Sequence, residues 1–343
     1  MDSEPTLRLR IDESALAANW RLLDRMSGTA AAGAAVKADC YGLGASRCVP
    51  VLRDAGARDY FVAHWSEVPD VAAHVAPGSI SVLHGPLTAG DAAFARASGV
   101  RPVLNSLPQV RRWLESGGGP CDVMIDTGMS RLGLSPDELG DESLSRLDVE
   151  LLMSHLASAD EDSPLNARQL ALFRDAIQRL GARRHSLANS AGIALGPDYS
   201  FDVTRPGLAL YGGVPRGEFD GLIRQVGFPQ AAVIMLRRIR AGDTVGYNAT
   251  FTAQRDIPAA VVSLGYADGF LRCRGTDAAL QFGEKRLPLL GKISMDMVVV
   301  DCSEAPDLRE GDWVDIPQHL PDAAAKSGLT QYEILTVTGQ RFR

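Results

Sequence analysis

The chain has 343 residues, 45% of them hydrophobic and 22% charged, with a formal net charge of −7. This composition is typical of a globular protein of roughly two domains, and its acidic balance argues against nucleic acid as a main partner. No apolar run approaches the ~18 residues that span a bilayer, and the acidic segment Met1–Pro5 lacks the apolar core of a secretory signal. The five cysteines show no Cys-x-x-Cys pair and no zinc-like spacing, so we expect free thiols, no metal site and a cytoplasmic location.

The first two-thirds of the chain alternate short apolar runs with helical stretches. The predicted strands are 31–36, 60–63, 80–83, 101–104, 122–125, 150–153, 185–187 and 202–204, and the predicted helices between them include 54–57 with its upstream turn, 67–74, 89–98, 107–116 and 166–180. Alternation repeated about eight times predicts a parallel (β/α)₈ barrel. An open doubly wound sheet is the alternative, but it usually carries a G-x-G-x-x-G loop after a strand, and this chain has none.

The pattern changes near Gly227. Short predicted strands separated by Gly, Pro and Asp turns follow at 231–239, 243–247, 259–264, 287–289, 297–301 and 312–316, with helices at 322–327 and 332–335. We therefore expect a barrel domain over 1–222 and a mostly β domain over 223–343. The linker is expected within residues 214–227, which carry three glycines and a proline.

One lysine, Lys37, stands at the end of the first predicted strand, in the run AAVKADCYGLG over residues 34–44. Burial at a strand end favours the neutral amine, which is the form that reacts with a carbonyl group. A lysine that leaves the strand for solvent is the alternative interpretation of this residue considered alone.

Polar residues also follow the later predicted strands. They are Asp126–Arg131 after the fifth, Ser154–His155 after the sixth, Asn189–Gly192 after the seventh and Arg205–Leu208 after the eighth. Each residue could be structural by itself, but the carboxyl ends of barrel strands meet on one face, where active sites lie.

The last two of these segments fall where barrels commonly bind phosphate, and glycines there let backbone N–H groups approach an anion. A reactive lysine beside a phosphate site predicts pyridoxal phosphate (PLP) as the cofactor. An aldolase that forms an imine with a sugar phosphate is the alternative.

Eight segments in order resemble those of alanine racemases. They are 34–44, 127–134 (TGMSRLGL), 154–161 (SHLASADE), 187–192 (LANSAG), 204–212 (TRPGLALYG), 246–253 (GYNATFTA), 265–269 (GYADG) and 291–297 (GKISMDM). So many ordered motifs make the resemblance specific. It implies a PLP enzyme of fold type III that interconverts L- and D-alanine and supplies D-alanine for peptidoglycan. It also implies a homodimer in which each active site combines one subunit's barrel with the other subunit's β domain.

The resemblance also implies a role for each matching residue. Lys37 would hold PLP covalently and act as the base on the D-face of alanine, and Tyr247 of the partner subunit would serve the opposite face. The remaining cofactor-binding residues would be Tyr41, His155, Asn189, Ser190, Arg205, Gly207 and Leu208. Arg131 and the backbone N–H of Met295 would hold the substrate carboxylate, while Tyr266 and Arg272 would lie near the substrate entrance.

This chain departs from the family pattern at three positions. Met124 stands where some members carry a carboxylated lysine that braces the arginine at position 131. Gln340 stands where some members carry a phosphate-binding tyrosine, and Lys292 replaces an arginine near the entrance.

Three alternative functions on the same scaffold remain open: a racemase of another amino acid such as serine, a PLP decarboxylase, and a PLP carrier without catalysis. Arg205 argues against a decarboxylase, because those enzymes usually place an acidic residue at the pyridine nitrogen. The β domain with Tyr247 argues against a carrier, because carriers resemble the barrel alone.

Overall fold

The computed structural model describes residues 4–274 and 277–342, without the side chain of Gln340. The chain divides into two units, Glu13–Arg224 and the combination of Met1–Asp12 with Gln225–Arg343. The sequence-based boundary after residue 222 differs from this division mainly at the start of the chain. Leu7–Ile11 forms a strand that pairs antiparallel with Gly227–Ile239, and this pairing attaches the first residues to the second unit.

The unit Glu13–Arg224 is the predicted parallel barrel. Its strands are Ala31–Ala32 and Ala34–Ala35 on either side of Gly33, Tyr60–Val62, Ile80–Val82, Arg101–Leu104, Pro120–Met124, Asp148–Met153, Arg184–Ser186 and Val203–Thr204. Seven strands from Ala34–Ala35 to Arg184–Ser186 pair in chain order. The ring closes because Val203–Thr204 pairs in parallel with Ala31–Ala32 on one side. On the other side, the N–H groups of Asp202 and Arg205 donate to the carbonyls of His185 and Ala188.

Helices separate most of these strands, as the sequence pattern predicts. They are Glu13–Met26, Ala45–Ala55, Val68–Ala72, Ala89–Ser98, Leu107–Glu115, Pro164–Arg179 and Ser190–Ile193. Local signals set their ends: Thr88 caps the N–H of Asp91 at 3.1 Å, and the same helix stops at Gly99, whose φ of 78° is left-handed. The short 3₁₀ turns that matter for the site are Trp65–Glu67 and Leu208–Tyr211.

The second unit is mostly β, also as predicted. Its strands are Leu7–Ile11, Gly227–Ile239, Thr244–Val245, Phe251–Thr252, Ile257–Val262, Ala279–Phe282, Lys285–Pro288, Val298–Asp301 and Trp313–Asp315, and its helices are Leu320–Ser327 and Gln331–Thr336. Seven of the strands form one sheet around the long strand Gly227–Ile239, and Thr244–Val245 pairs with Phe251–Thr252 as a separate hairpin. Within the described residues, no helix of either unit is long and apolar enough to cross a membrane.

A buried ionic network joins the barrel strands near their amino ends. The Arg101 guanidinium lies 3.3 Å from Asp59 and 3.2 Å from Asp122, and all three side chains are at most 8% exposed. Asp122 also accepts a hydrogen bond of 2.6 Å from the Ser81 hydroxyl, and Arg184 pairs with Asp59 at 2.8 Å. Because one guanidinium serves two buried carboxylates, its loss would leave a buried charge without its cation.

We expect Arg101→Met to lower the free energy of unfolding by about 3–5 kcal/mol, the usual cost of breaking a buried ion pair from one side. The matched control is Arg183→Met, because the Arg183 side chain is 55% exposed and pairs with Asp148 and Glu150 at the surface. That control should cost about 1 kcal/mol or less. Urea titration measures both values, and equal losses in the two variants would contradict a stabilising role for the buried network.

Candidate active site

Lys37 emerges from the carboxyl end of the first barrel strand and is partly buried. The strand can pack closely because it is built from small residues: a Cβ at Gly33 would lie 2.8 Å from the Asp59 carbonyl oxygen. Burial, the Arg131 charge and the Arg205 charge lower the pKa of Lys37, while the charge of Glu67 raises it. The net lowering favours the neutral amine that carbonyl chemistry requires.

The chain turns left-handed directly after Lys37. Ala38, Asp39, Cys40 and Tyr41 have φ values of 51°, 53°, 53° and 56°, and Gly42 ends the turn with a φ of 86°. Consecutive left-handed residues other than glycine are costly, so the surrounding contacts must hold this turn in place. The sequence gives no local signal of this left-handed conformation, because none of the first four residues of the turn is a glycine.

The turn directs Tyr41 against the loop after the eighth strand. A Cβ at Gly207 would lie 2.2 Å from the Tyr41 hydroxyl oxygen, so a larger residue there would displace the Tyr41 ring. The Tyr41 ring stacks on Tyr211 with centroids 4.9 Å apart. Ser190 approaches the same loop, since its Oγ accepts hydrogen bonds from the N–H groups of Gly207 at 2.9 Å and Ala209 at 3.3 Å. Its own hydroxyl hydrogen can still be donated to a ligand.

Tyr41, Ser190 and Gly207 together form a cradle at this loop. Two short helical turns lie beside it, one preceded by Asn189 and the other beginning at Leu208. Asn189 caps the helix Ser190–Ile193 by accepting the N–H of Gly192 at 2.9 Å. Leu208 is the first residue of the 3₁₀ turn Leu208–Tyr211. The N–H groups at such a position have no partner within the turn and suit a phosphate.

Arg205 is buried between strands. Its guanidinium donates to the Ser186 hydroxyl and to the Ser154 carbonyl, both at 2.5 Å. Burial lowers the pKa of Arg205 to about 10, which leaves it protonated near neutral pH. The guanidinium is therefore a fixed donor, and it does not readily release a proton.

His155 lies next to these cations. Burial, followed by the charges of Arg205, Lys37 and Arg131, lowers the pKa of His155 to about 3. The imidazole is thus neutral at physiological pH and can take part in hydrogen bonds without adding positive charge. The Gln169 side-chain amide donates to the His155 carbonyl at 2.9 Å and so holds the main chain of His155 in place.

Arg131 is exposed on the loop that follows the fifth strand. The Asp126 carboxylate holds this loop from inside by accepting the N–H groups of Gly128 and Met129 at 2.9 Å and of Ser130 at 3.1 Å. Desolvation raises the pKa of Asp126, but the backbone hydrogen bonds outweigh it and lower the value overall. In the described part of the chain, no carboxylate forms a salt bridge with Arg131.

Tyr247 lies at the tip of the hairpin formed by Thr244–Val245 and Phe251–Thr252, and it is 64% exposed. Gly246 makes the turn possible with a φ of 72°, and Asn248 follows with a φ of 63°. The Tyr247 side chain is therefore exposed at a tight bend and is not packed inside the β domain.

Met295 is 52% exposed and lies on the loop that follows Gly291. Its carbonyl accepts the N–H of Ala267 at 3.0 Å, which joins two of the recognised motifs. The predicted entrance residues are beside it: the Arg272 guanidinium lies 5.2 Å from the Tyr266 ring centroid and donates to the Ile293 carbonyl at 3.1 Å.

Sequence reasoning missed two polar residues at the barrel face. Gln169 is fully buried and links the Thr127 hydroxyl, the His155 carbonyl and the Ala157 N–H. Glu67, assigned to the predicted helix 67–74, accepts a hydrogen bond of 2.6 Å from the N–H of Ala38, next to Lys37. A glutamine or glutamate in a helical pattern gives no local signal of such contacts.

Fold and site together define a barrel enzyme with a partly buried lysine and an anion cradle, as expected for a phosphorylated carbonyl cofactor. Comparisons with known proteins identify the family. Residues 11–215 match the model of the alanine racemase N-terminal domain, and residues 228–343 match that of the C-terminal domain. The chain belongs to the alanine racemase family, whose members are PLP-dependent isomerases.

Individual relatives agree over the full length. The chain is 42% identical to the alanine racemase of Cereibacter sphaeroides over 98% of this chain and 97% of the relative. It is 39% identical to that of Brucella abortus over 97% and 92%. The crystal structure of the Bartonella henselae alanine racemase with covalently bound PLP superposes with a TM-score of 0.89 at 35% identity, covering 99% of both chains.

The residues present fit PLP. A Cβ would clash at Gly207 with Tyr41 and at Gly192 with Leu156, where the Cβ to Cδ1 distance would be 2.9 Å. Glycine at both positions therefore lets Tyr41 and Leu156 pack directly against the backbone near the Ser190 hydroxyl. Lys37, whose amine pKa is lowered, and the loop around Ser190 and Gly207 provide the two attachment points that a phosphorylated aldehyde needs.

We expect Gly207→Ala to weaken PLP binding by roughly tenfold, because overpacking of about 1–3 kcal/mol would push the Tyr41 ring away from the cradle. The control is Gly181→Ala, where a Cβ would meet no atom within 4 Å. Fluorescence titration of the apoprotein with PLP measures both dissociation constants. A Gly207→Ala protein that binds PLP as tightly as the control would exclude this loop from the cofactor site.

Proposed function

We propose that this protein interconverts L- and D-alanine with PLP as cofactor. The observation that carries the proposal is the relationship to alanine racemases over 98% of the chain, with both a barrel lysine and a β-domain tyrosine present. A PLP carrier needs no second domain, and the buried arginine Arg205 disfavours a decarboxylase.

In this proposal, the barrel residues bind and orient the cofactor. Lys37 holds PLP covalently, Tyr41, Ser190, Gly207 and Leu208 bind its phosphate, and Arg205 donates to the ring nitrogen. Asn189 fixes the cradle through Gly192, and the neutral His155 contributes hydrogen bonding beside Arg205. The support comes from the short contacts that join Tyr41, Ser190 and Gly207 around one backbone segment.

PLP, when bound, withdraws electrons from the substrate Cα and so makes its proton acidic. Racemisation then requires one group on each face of Cα, because the proton must leave one side and return on the other. Lys37 Nζ exchanges the proton on the D-face of Cα, and Tyr247 Oη exchanges the proton on the L-face. Arg131 and the Met295 N–H hold the substrate carboxylate so that Cα stays between the two bases.

We also propose that the active sites are shared within a homodimer. Tyr247, Met295 and Met297 of the β domain are 64%, 52% and 44% exposed. A Cβ at Gly246, next to Tyr247, would lie 3.6 Å from the Lys292 nitrogen, in the segment that leads to both methionines. Exposed apolar residues of this kind suit an interface that completes a site. The product D-alanine would serve peptidoglycan synthesis in the cytoplasm.

Circular dichroism of L-alanine incubated with the PLP-loaded protein tests the activity directly. We expect the ellipticity to fall to zero while the total alanine concentration stays constant, and we expect Lys37→Ala to abolish both this change and the visible absorption of bound PLP. Loss of alanine would instead indicate a decarboxylase, and an unchanged signal would indicate a carrier. A faster reaction with L-serine would reassign the substrate.

Complementation tests the shared site. Lys37→Ala and Tyr247→Phe should each be nearly inactive, but a refolded equimolar mixture should regain roughly a quarter of the wild-type activity. Random pairing in a two-fold dimer makes half of the molecules mixed, and each mixed dimer has one intact site. If Lys37 and Tyr247 of one chain formed a site together, the mixture would stay as inactive as its components.

A further inference from the structure

The Glu67 carboxylate ties together the ends of the first two barrel strands. Its Oε1 accepts the N–H of Ala38 at 2.6 Å, and its Oε2 accepts the N–H groups of Ala63 at 2.7 Å and His64 at 3.0 Å. Glu67 ends the 3₁₀ turn Trp65–Glu67 and is partly buried. One side chain therefore connects the loop after the second strand to the residue directly after Lys37.

The segment that Glu67 holds is the left-handed turn. Each residue other than glycine in this conformation costs about 1–2 kcal/mol, and four such residues follow one another from Ala38 to Tyr41. Other contacts brace the far end: the Asp39 carboxylate accepts the N–H of Ala45 at 2.6 Å, and the N–H of Gly44 donates to the Asp39 carbonyl at 2.9 Å. Glu67 braces the near end, where the turn meets Lys37.

Glu67 is also the anion among the charged groups that act on Lys37. The cations Arg131 and Arg205 lower the pKa of Lys37, and Glu67 raises it. The side chains of His84 and His155 are also near enough for Lys37 to lower their pKa values. Without Glu67, Arg131 and Arg205 would lower the pKa of Lys37 with no carboxylate of the described residues known to oppose them.

We propose that Glu67 is a positioning residue for Lys37, which fixes the lysine-bearing turn through Ala38 and opposes the cations around the Nζ amine. This inference rests on the proposed role of Lys37 as the residue that holds PLP. Glu67 itself touches backbone N–H groups and acts on the reaction only through Lys37.

Two variants separate the two parts of the proposal. Glu67→Gln keeps the length of the side chain but removes the charge, and it brings an NH₂ group toward N–H donors. Glu67→Asp keeps the charge but is one methylene shorter and cannot reach all three N–H groups at once. The matched control is Glu333→Gln, because Glu333 also accepts a backbone N–H, that of Thr330 at 2.7 Å, in the other unit.

The measurement is the rate at which the full-length apoprotein develops the visible absorption of covalently held PLP, recorded as a function of pH. In Glu67→Gln the pH profile should move to lower pH, because the charge that raises the pKa of Lys37 is gone, and the plateau rate should fall on the order of tenfold from misplacement. Glu67→Asp should show the lower plateau with little movement of the profile. Glu333→Gln should match the wild type in both respects.

Three results would contradict the proposal. A Glu67→Gln profile and plateau that coincide with the wild type would overturn it, and so would a loss of stability in urea without any change in the pH profile. If Glu67→Gln does not fold, an unchanged plateau in Glu67→Asp would overturn it equally. A wild-type protein that captures no PLP at Lys37 would instead refute the proposed function itself.

Discussion

The pairing of the first barrel strand on both of its edges is the constraint on which the barrel face depends. On one edge the N–H groups of Ala34 and Val36 donate to the carbonyls of Asp59 and Phe61, at 2.8 and 2.9 Å. On the other edge, Gly33 and Ala35 donate to the carbonyls at 204 and 206, both at 2.9 Å. Since a closed ring leaves no free edge, Lys37 has to emerge beside the eighth strand, which carries Arg205 and Gly207.

This pairing explains why the residues of the strand are so small. A Cβ at Gly33 would approach the Phe61 ring to 2.9 Å as well as the Asp59 carbonyl, so larger residues would force the first two strands apart. The same close approach brings Ala35 near Gly207 and lets the Tyr211 hydroxyl donate to the Ala35 carbonyl at 2.9 Å. The close packing of the first strand therefore also determines the shape of the cradle at Gly207.

Most of the barrel could be predicted from sequence because its signals are local. Each strand is a short apolar run, and each helix has periodicity and caps within a few residues. The strand Leu7–Ile11 was missed because its partner begins more than two hundred residues later, and nothing near Leu7 indicates that pairing. The left-handed turn and Glu67 were missed for a related reason, since three N–H groups from two loops stabilise a conformation that Ala38 and Asp39 do not favour locally.

The candidate site was easier to locate than to explain. Residue type and position at strand ends indicated Lys37, Arg205 and His155, but the charge state of each depends on the others. Burial, followed by the charges of Arg205, Lys37 and Arg131, lowers the pKa of His155 and keeps its imidazole neutral. A cofactor phosphate and a substrate carboxylate are suited to such an environment, because each anion would offset positive charge that the protein has already gathered there.

At position 124, an apolar side chain packed in the barrel core replaces a charged group that contacts an arginine in some family members. In family members with a carboxylated lysine at this position, that group braces the arginine of the substrate site. Here the Met124 side chain is buried in the barrel interior with Phe61, Val103 and Met153. The loop that carries Arg131 is instead closed at its base by backbone hydrogen bonds of 2.8–2.9 Å between Leu134 and the residues at 124 and 126. Asp126 then fixes the interior of the loop through its N–H groups. The main chain therefore holds the loop that carries Arg131 without a carbamate, while the apolar side chain that replaces the lysine adds to the barrel core.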